Sequence, residues 1–202
     1  FVQEGLAFRF TPFNYKKWGD AEGDNGYAID TEKFYENVMN RYKYGGLDTP
    51  GLYLDETTMR ICYSHRRLFA QLAKELVKQG DNARAQKVLA YAEQAIPAYN
   101  VPQVYESGSY DIATAYASIG ETGKAITLLN DLISESRDYI DWAFSLGDSR
   151  IAMVQRDCLY KFWQWNQCNG LLKDMDKERY KQSNQQFEEK YMRLAQLMNY
   201  QN

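Results

Sequence analysis

The sequence predicts an all-α protein, and two stretches of the chain with one shared spacing are the first reason. In each stretch an apolar helix face ends at a glycine, Gly80 or Gly120, and a second helix begins with a small residue, Ala85 or Ala125, five positions later. Only 4 prolines occur in 202 residues, which favours long helices. The spacing is typical of tetratricopeptide repeats. We therefore predict a tetratricopeptide-like α-α superhelix of about three helical hairpins with a short extended N-terminal arm.

The two stretches carry apolar or small residues where paired helices pack. The first contains Phe69, Leu72, Ala73, Leu76, Ala85, Leu89, Ala92 and Pro97, and the second contains Ile112, Ala113, Tyr116, Ala125, Leu129 and Leu132. A single helix pair cannot bury its apolar face alone, so stacked pairs are expected to share one continuous core.

The residues before the first helix predict an extended arm. Leu6, Phe8 and Phe10 alternate along one side, and Pro12 ends the run. The polar, glycine-rich residues 20–26 predict a turn.

The periodicity of apolar residues places the helices that follow the arm. Asp30 or Thr31 caps the first of them, Asp55 or Thr57 caps the second, and Gly170 is expected to break the sixth. The predicted helices cover residues 31–43, 57–79, 82–95, 104–119, 122–136, 149–168 and 176–199.

We predict one domain with three parts. Residues 1–56 form the arm and a helix packed on the repeats, and residues 57–136 form two tetratricopeptide-like hairpins. Residues 137–202 form a degenerate third hairpin, because the terminal units of a helical array are expected to be atypical.

Composition bounds the class of protein. The chain is 45% hydrophobic and 25% charged, as in ordinary globular domains. A net charge of -3 and the lack of a basic block argue against nucleic acid as a partner. No apolar run is long enough to cross a membrane. Because the sequence starts at Phe1 rather than Met, we expect it to be a piece of a longer protein.

The three cysteines are expected to be buried free thiols. Cys158 and Cys168 lie ten residues apart on one predicted helix. That separation is roughly 15 Å along the axis and is too long for a disulfide.

Candidate catalytic and metal-binding groups favour structural roles, and no cofactor or metal is expected. His65, the only histidine, lacks a second histidine nearby. Asp55 and Glu56 resemble an acid–base pair, but helix capping explains them more simply. The acidic residues of 20–30 alternate like calcium ligands, yet the twelfth position counted from Asp20 is Thr31 instead of the required glutamate.

A polar helix face is the predicted binding site. In repeat hairpins the first helix of each pair lines the groove, which fits a peptide carboxylate or an acidic glycan when it is basic and polar. The candidate groove residues are Arg67, Gln71, Lys74 and Lys78 in the first unit and Tyr110, Asp111, Thr114 and Ser118 in the second.

Several short motifs, in one order and spacing, carry a family resemblance. They are Gly5-Leu6-Ala7-Phe8-Arg9-Phe10, Tyr42-Lys43-Tyr44-Gly45-Gly46, Tyr53-Leu54-Asp55-Glu56, Arg60, the run from Arg67 to Ala73, and the hairpin to Pro97. From about residue 5 to about residue 160 the chain resembles the C-terminal soluble part of a family of large multi-span bacterial membrane proteins. That family is of unknown function and is related to protein O-mannosyltransferases. The sequence departs from the family pattern at 18–26 and beyond about 170.

The resemblance implies a non-catalytic, extracytoplasmic domain of a bacterial envelope membrane protein. Glycosyl transfer would take place in a membrane region outside this chain, and the domain would dock a protein or peptide, or position a glycan or glycoprotein acceptor. Two alternatives remain open. A glycan-binding helical module requires an exposed tryptophan among Trp18, Trp142, Trp163 and Trp165. A hydrolase requires His65 to meet Asp55 and Glu56 in a pocket.

Overall fold

The computed structural model of the protein describes residues 1–12, 28–148 and 150–199. Within these ranges the chain forms seven α-helices and three two-residue strands, which confirms the all-α class. The tetratricopeptide-like superhelix stays a prediction. The helices are α1 (Thr31–Glu36), α2 (Glu56–Lys78), α3 (Asn82–Ala95), α4 (Ser109–Ser118), α5 (Thr122–Ser145), α6 (Gln155–Met175) and α7 (Lys177–Asn199).

The chain divides into two compact units. The N-terminal unit comprises Phe1–Pro102 and Glu106–Glu121, and the C-terminal unit comprises Gln103–Tyr105 and Thr122–Asn202. Each unit has its own set of buried apolar side chains. The three-part domain division remains a prediction.

The N-terminal arm is extended and pairs with itself. Strand β1 (Val2–Gln3) lies between β2 (Phe8–Arg9), which is antiparallel to it, and β3 (Ala28–Ile29), which is parallel to it. Val2 is fully buried, whereas Phe8 and Phe10 are exposed. The predicted turn at residues 20–26, the calcium-like pattern from Asp20 and the side chain of Trp18 lie outside the described residues.

Helix α2 is the centre of the N-terminal unit, and α1, α3 and α4 all pack against it. The apolar positions predicted from the shared spacing supply this core. Phe69, Leu72 and Leu76 of α2 and Leu89 of α3 are completely buried, and Tyr116 of α4 is nearly so. Small residues such as Ala73 and Ala113 are also fully buried, which allows the helices to approach closely.

Both predicted turn glycines end their helices in the same way. Gly80 has a φ of +80° and Gly120 a φ of +84°, a left-handed conformation in which a side chain would be strained. After α2 the amides of Gly80 and Asp81 donate to the carbonyls of Val77 and Leu76. The amides of Gly120 and the next residue repeat this pattern after α4. These are Schellman caps, so the repeated glycine is a repeated helix-stop signal.

Aspartates begin the first three helices. Asp30, Asp55 and Asp81 each accept a hydrogen bond from a backbone amide of the first turn, and Asp55 accepts two. The hydrogen bonds satisfy amides that have no partner within a helix. Asp30 and Asp55 were among the predicted caps, and the structure confirms them over the threonines.

The C-terminal unit is built from α5, α6 and α7, and α6 packs on both of the others. Phe162 and Trp165 of α6 meet Phe187 of α7 at ring-centroid distances of 5.4 and 5.7 Å. The indole Nε1 of Trp165 donates to Ser183 Oγ at 2.7 Å, and that hydroxyl donates to Asn169 Oδ1 at 2.6 Å. This relay satisfies the polar edge of a completely buried tryptophan.

Three predicted helix ends in this unit are wrong. Helix α6 begins at Gln155 rather than near 149, because a separate 3₁₀ turn at Ile151–Met153 precedes it. Helix α5 continues nine residues past Ser136, because Ile140, Ala143 and Phe144 extend its buried face. Helix α6 does not break at Gly170, because the completely buried Leu172 anchors the following turn. Burial of apolar residues outweighs the low helix propensity of one glycine, which is about 1 kcal/mol.

Candidate functional site

The predicted polar face is assembled from α2 and α4, which pack together. The ammonium of Lys74 on α2 lies 2.7 Å from Asp111 Oδ1 on α4. These side chains are partly exposed, so the ion pair lies at the surface. Two predicted groove residues from different repeats therefore meet, and each neutralises the other.

The remaining predicted residues of α2 also have partners. The guanidinium of Arg67 donates to the carbonyl of Glu106 at 2.5 Å. The amide side chain of Gln71 exchanges hydrogen bonds with Gln3 of the N-terminal arm at 2.8–2.9 Å. Lys78 lies 2.8 Å from the buried carboxylate of Glu75. The arm thus occupies part of this face.

On α4 the predicted groove residues bond mainly to their own helix. Thr114 Oγ1 donates to the carbonyl of Tyr110, and Ser118 Oγ donates to the carbonyl of Thr114, both at 2.9 Å. Such bonds satisfy hydroxyl groups locally. The groove remains a prediction, and its polar groups would have to exchange partners to hold a ligand.

An apolar cleft of about 270 Å³ lies beside the first half of α2. Its wall is formed by the loop before α2, by one face of that helix and by Ile96 at the end of α3. The lining residues are Lys43, Tyr44, Gly45, Leu47, Leu52, Leu54, Thr58, Ile61, Cys62, His65 and Ile96. The size falls just short of the usual range for small-molecule sites.

The loop that forms one wall of the cleft is held by the segment after α3. The buried Asn100 side chain donates to the carbonyls of Leu47 and Thr49, at 2.8 and 2.6 Å. The hydroxyl of Tyr99 donates to the carbonyl of Asp48 at 2.7 Å. These bonds fix the loop backbone, so the cleft is formed before any ligand enters.

His65 stands in the cleft wall as part of an aromatic cluster. Tyr42 and Tyr44 meet its ring edge-on, at centroid distances of 5.8 and 5.4 Å. Within the described residues, its buried Nδ1 atom has no hydrogen-bond partner. Burial lowers the pKa of His65 below its ordinary value, so the ring is neutral at pH 7.

The groups that a hydrolase would need are not brought together. Asp55 caps α2 through the amides of Thr57 and Thr58, and Glu56 pairs with Arg60 at 2.6 Å. Burial raises the pKa of Cys62, only partly opposed by the charge of Arg66, which disfavours the nucleophilic thiolate. The described side chains around His65 therefore supply neither an orienting carboxylate nor an activated nucleophile.

A second, more polar cleft of about 360 Å³ shares Tyr44 in its wall with the apolar one. Residues 43–47 line both clefts in part, with Tyr91 and Gln94 of α3 forming the far wall of the polar one. Burial raises the pKa of the Tyr44 phenol, whose hydroxyl donates to the carbonyl of Val38 at 3.2 Å. Tyr44 thus lines both an apolar and a polar cleft, and its hydroxyl is held by the backbone of Val38.

Sequence reasoning missed the most heavily bonded charge of this region. The guanidinium of Arg66 is buried and donates to the carbonyls of Ile96, Val101 and Pro102 and to Ser107 Oγ, at 2.7–3.2 Å. The signal was present, because Arg66 lies four residues after Cys62 and three before Phe69, on the buried face of α2. It fastens the link between α3 and α4 to α2.

Comparison with protein-family models, with curated proteins and with solved structures finds no match in any of the three. Across the described ranges, none of the helices combines the length and apolar character needed to cross a bilayer. In the same part of the chain, no group of three or more His, Cys, Asp or Glu side chains is placed to hold a metal ion.

Proposed function

We propose that this chain is a non-catalytic interaction domain of a bacterial envelope membrane protein of glycosyltransferase-like family. It docks a peptide segment of a partner or acceptor protein in the apolar cleft beside α2. The single observation that carries the docking site is this preformed apolar cleft, one wall of which is a loop that Asn100 holds in place. The envelope location and the family rest on the sequence resemblance.

The residues at the rim of the cleft indicate which peptide sequence would bind there. Ile61 is 54% exposed and Leu52 is 40% exposed, and both line the opening. Lys43, at the same rim, is exposed and makes no ion pair with another described residue. Apolar surface next to a free cation favours an apolar anchor residue followed or preceded by an acidic one.

Docking fits these groups better than catalysis does. A general base must reach a proton and be oriented by a partner, and a nucleophile must be activated. His65 has no orienting partner among the described residues, and the Cys62 thiol has a raised pKa. An uncharged histidine and an uncharged thiol are instead well suited to line an apolar binding cleft.

Peptide binding tests the docking site directly. Fluorescein-labelled pentapeptides with Leu, Phe, Trp or Ala at the centre, flanked by Asp or by Lys, would be titrated with the chain by fluorescence polarisation. We expect the acidic peptides with large apolar centres to bind best. Ile61→Asp and Lys43→Glu should each weaken that binding about tenfold, a change of roughly 1.4 kcal/mol.

Tyr53→Asp is the matched control for those variants. Tyr53 belongs to the same loop and is 88% exposed, but it does not line the cleft. Its substitution should leave peptide affinity unchanged. Equal affinity for Ala-centred and Leu-centred peptides, or equal losses in Tyr53→Asp and Ile61→Asp, would contradict the proposed site.

Cell fractionation tests the envelope assignment separately. An antibody against this domain would be used on carbonate-washed membranes of the source cells. We expect a band much larger than the 23.6 kDa of this chain that stays with the membranes. A carbonate-soluble band near 23.6 kDa would refute membrane attachment while leaving the peptide site intact.

A further inference from the structure

Helix α6 presents aromatic rings on an exposed face as well as on its buried one. Trp163 is 47% exposed and Tyr160 is 46% exposed, and their rings lie nearly parallel, 14° apart, with centroids separated by 5.6 Å. Tyr105, from the same C-terminal unit, meets the Trp163 ring edge-on at 5.3 Å. We call Tyr105, Tyr160 and Trp163 the aromatic platform.

The core of the unit does not account for the platform. Phe162 and Trp165, on the other side of α6, already fill the interface with α7 and are buried. Two large aromatic side chains next to each other in solvent are more than the scatter of single exposed apolar residues that proteins normally show. Exposed apolar surface of this kind marks a site of interaction with another molecule.

The polar groups around the platform suit an uncharged ligand. The described structure shows no hydrogen bond from the Trp163 indole or the Tyr160 hydroxyl, which leaves both free to bond outward. Asn166 and Gln167 follow about one turn later and carry neutral amides. The cation next to Tyr160 in the sequence, Lys161, is already engaged by Glu135 at 2.9 Å. The exposed Arg156 lies one turn before Tyr160 on the same face, next to the exposed Asp157.

These properties distinguish between ligand classes. Nucleic acids also stack on aromatic rings, but they need several cations along their phosphates, whereas Lys161 is paired with Glu135 and Arg156 stands next to Asp157. A neutral sugar ring needs a flat aromatic face for its C–H groups and uncharged donors and acceptors for its hydroxyls. The half-exposed rings of Tyr160 and Trp163 and the amides of Asn166 and Gln167 are groups of these two kinds.

We propose that the aromatic platform on α6 binds a pyranose ring of a neutral glycan. The sugar stacks on the exposed part of the Tyr160–Trp163 pair, and its hydroxyls bond to the Tyr160 hydroxyl and the Asn166 amide. This site lies in the C-terminal unit, whereas the peptide cleft lies in the N-terminal unit. The two proposals can therefore fail independently.

Tryptophan fluorescence and calorimetry with defined oligosaccharides test the platform. The probes are cellohexaose, mannohexaose and maltohexaose, titrated against the whole chain. At least one should bind saturably at up to millimolar concentration and change the emission of Trp163. Trp163→Leu keeps apolar bulk but removes the flat ring, and Tyr160→Ala removes its neighbour. Each should lower the affinity about tenfold, in line with the energies of aromatic contacts.

Trp142→Leu is the matched control. Trp142 is 49% exposed on α5 and lies near Tyr139, so it is a half-exposed tryptophan of the same unit outside the platform. Its substitution should leave sugar affinity unchanged. Saturable binding that Trp163→Leu weakens and Trp142→Leu does not would support the site.

Two results would overturn the site. One is that none of the three hexasaccharides binds at millimolar concentration to a chain that circular dichroism shows to be folded. The other is that Trp142→Leu and Trp163→Leu reduce binding equally. Peptide binding at the cleft, measured on the same samples, shows whether a loss is local to the C-terminal unit.

Discussion

Arg66 is a buried cation that carbonyl and hydroxyl oxygens stabilise in place of a described carboxylate. Burial lowers its pKa to about 10, which still leaves it charged at neutral pH. Its planar guanidinium donates hydrogen bonds to four oxygen atoms of residues 96–107, which the smaller ammonium group of a lysine could not all reach. The residue therefore acts as a fastener between α2 and the link that follows α3.

Arg66→Met should lower the free energy of unfolding by about 3 kcal/mol or more, because it leaves buried acceptors without donors. Arg66→Lys should recover only part of the loss, since an ammonium cannot reach all four oxygens. Urea unfolding followed by circular dichroism measures both changes. Arg67→Met, at an exposed neighbouring position, is the control and should cost far less. Similar losses in the Arg66 and Arg67 variants would contradict the role assigned to Arg66.

His65 makes the stability of the chain depend on pH in a predictable direction. Burial places its pKa in the folded state below the ordinary value of 6.5. The unfolded chain therefore binds the proton more readily, and the folded state loses stability as the pH falls below 6.5 towards the folded-state pKa. Well above 6.5 the ring is neutral in both states and contributes no slope.

His65→Phe removes this titration and keeps an aromatic ring against Tyr42 and Tyr44. Because His65 is the only histidine, the difference between wild type and variant isolates one group. Unfolding free energies measured in urea from pH 8 to pH 5 should show the wild type losing stability relative to His65→Phe on acidification. A constant difference, or one that changes in the opposite direction, would show that the histidine is not buried in its neutral form.

Two glycines associated with the long helices have opposite effects on stability, and substituting each with alanine distinguishes them. Gly170 lies inside α6, and a side chain there would meet no neighbour within 4 Å. Gly170→Ala should therefore stabilise the protein by about 1 kcal/mol, the difference in helix propensity. Gly80→Ala should destabilise it by about 1 kcal/mol, because Gly80 is left-handed at the end of α2. Thermal unfolding midpoints compare the two. A loss of stability in Gly170→Ala would mean that this turn of α6 is not an undistorted, solvent-facing helix.

Apolar periodicity determined most of the helices from the sequence alone. The range 82–95 agrees with α3, and the caps at Asp30 and Asp55 are confirmed, because these features depend on neighbouring residues. The C-terminal ends of α5 and α6 and the start of α6 were missed. Phe144 and Leu172, which extend the two helices, are buried by tertiary packing, which local periodicity does not report.

The candidate sites were likewise only partly predictable from the sequence. The sequence placed Lys74 and Asp111 on one polar face, and the structure brings them together. It gave no sign that Gln3 would cover Gln71, or that a loop pinned by Asn100 would form an apolar cleft at His65. Those features join segments far apart in the chain, which periodicity does not report. Part of the polar face was therefore predictable from the sequence, whereas the apolar cleft was not.

The three cysteines allow the packing of both units to be tested. Cys62 is 5% exposed in the N-terminal unit, and Cys158 and Cys168 are fully buried in the C-terminal unit. All are free thiols, as the sequence predicted. Burial raises the pKa of each, to about 12 for Cys168, so the reactive thiolate is scarce at neutral pH.

Reaction with Ellman's reagent at pH 8 should therefore be on the order of a hundredfold slower in the native protein than in guanidinium chloride, where all three thiols react. Cys62 should react first, because it lines the apolar cleft. A bound pentapeptide should slow that first phase and leave the two slower phases unchanged, since it occupies only the N-terminal unit. Mass spectrometry of partly labelled samples assigns each phase. A fast reaction of Cys158 or Cys168 in the native protein would contradict a packed core in the C-terminal unit. If bound peptide did not slow the first phase, Cys62 would not lie at the site where the peptide binds.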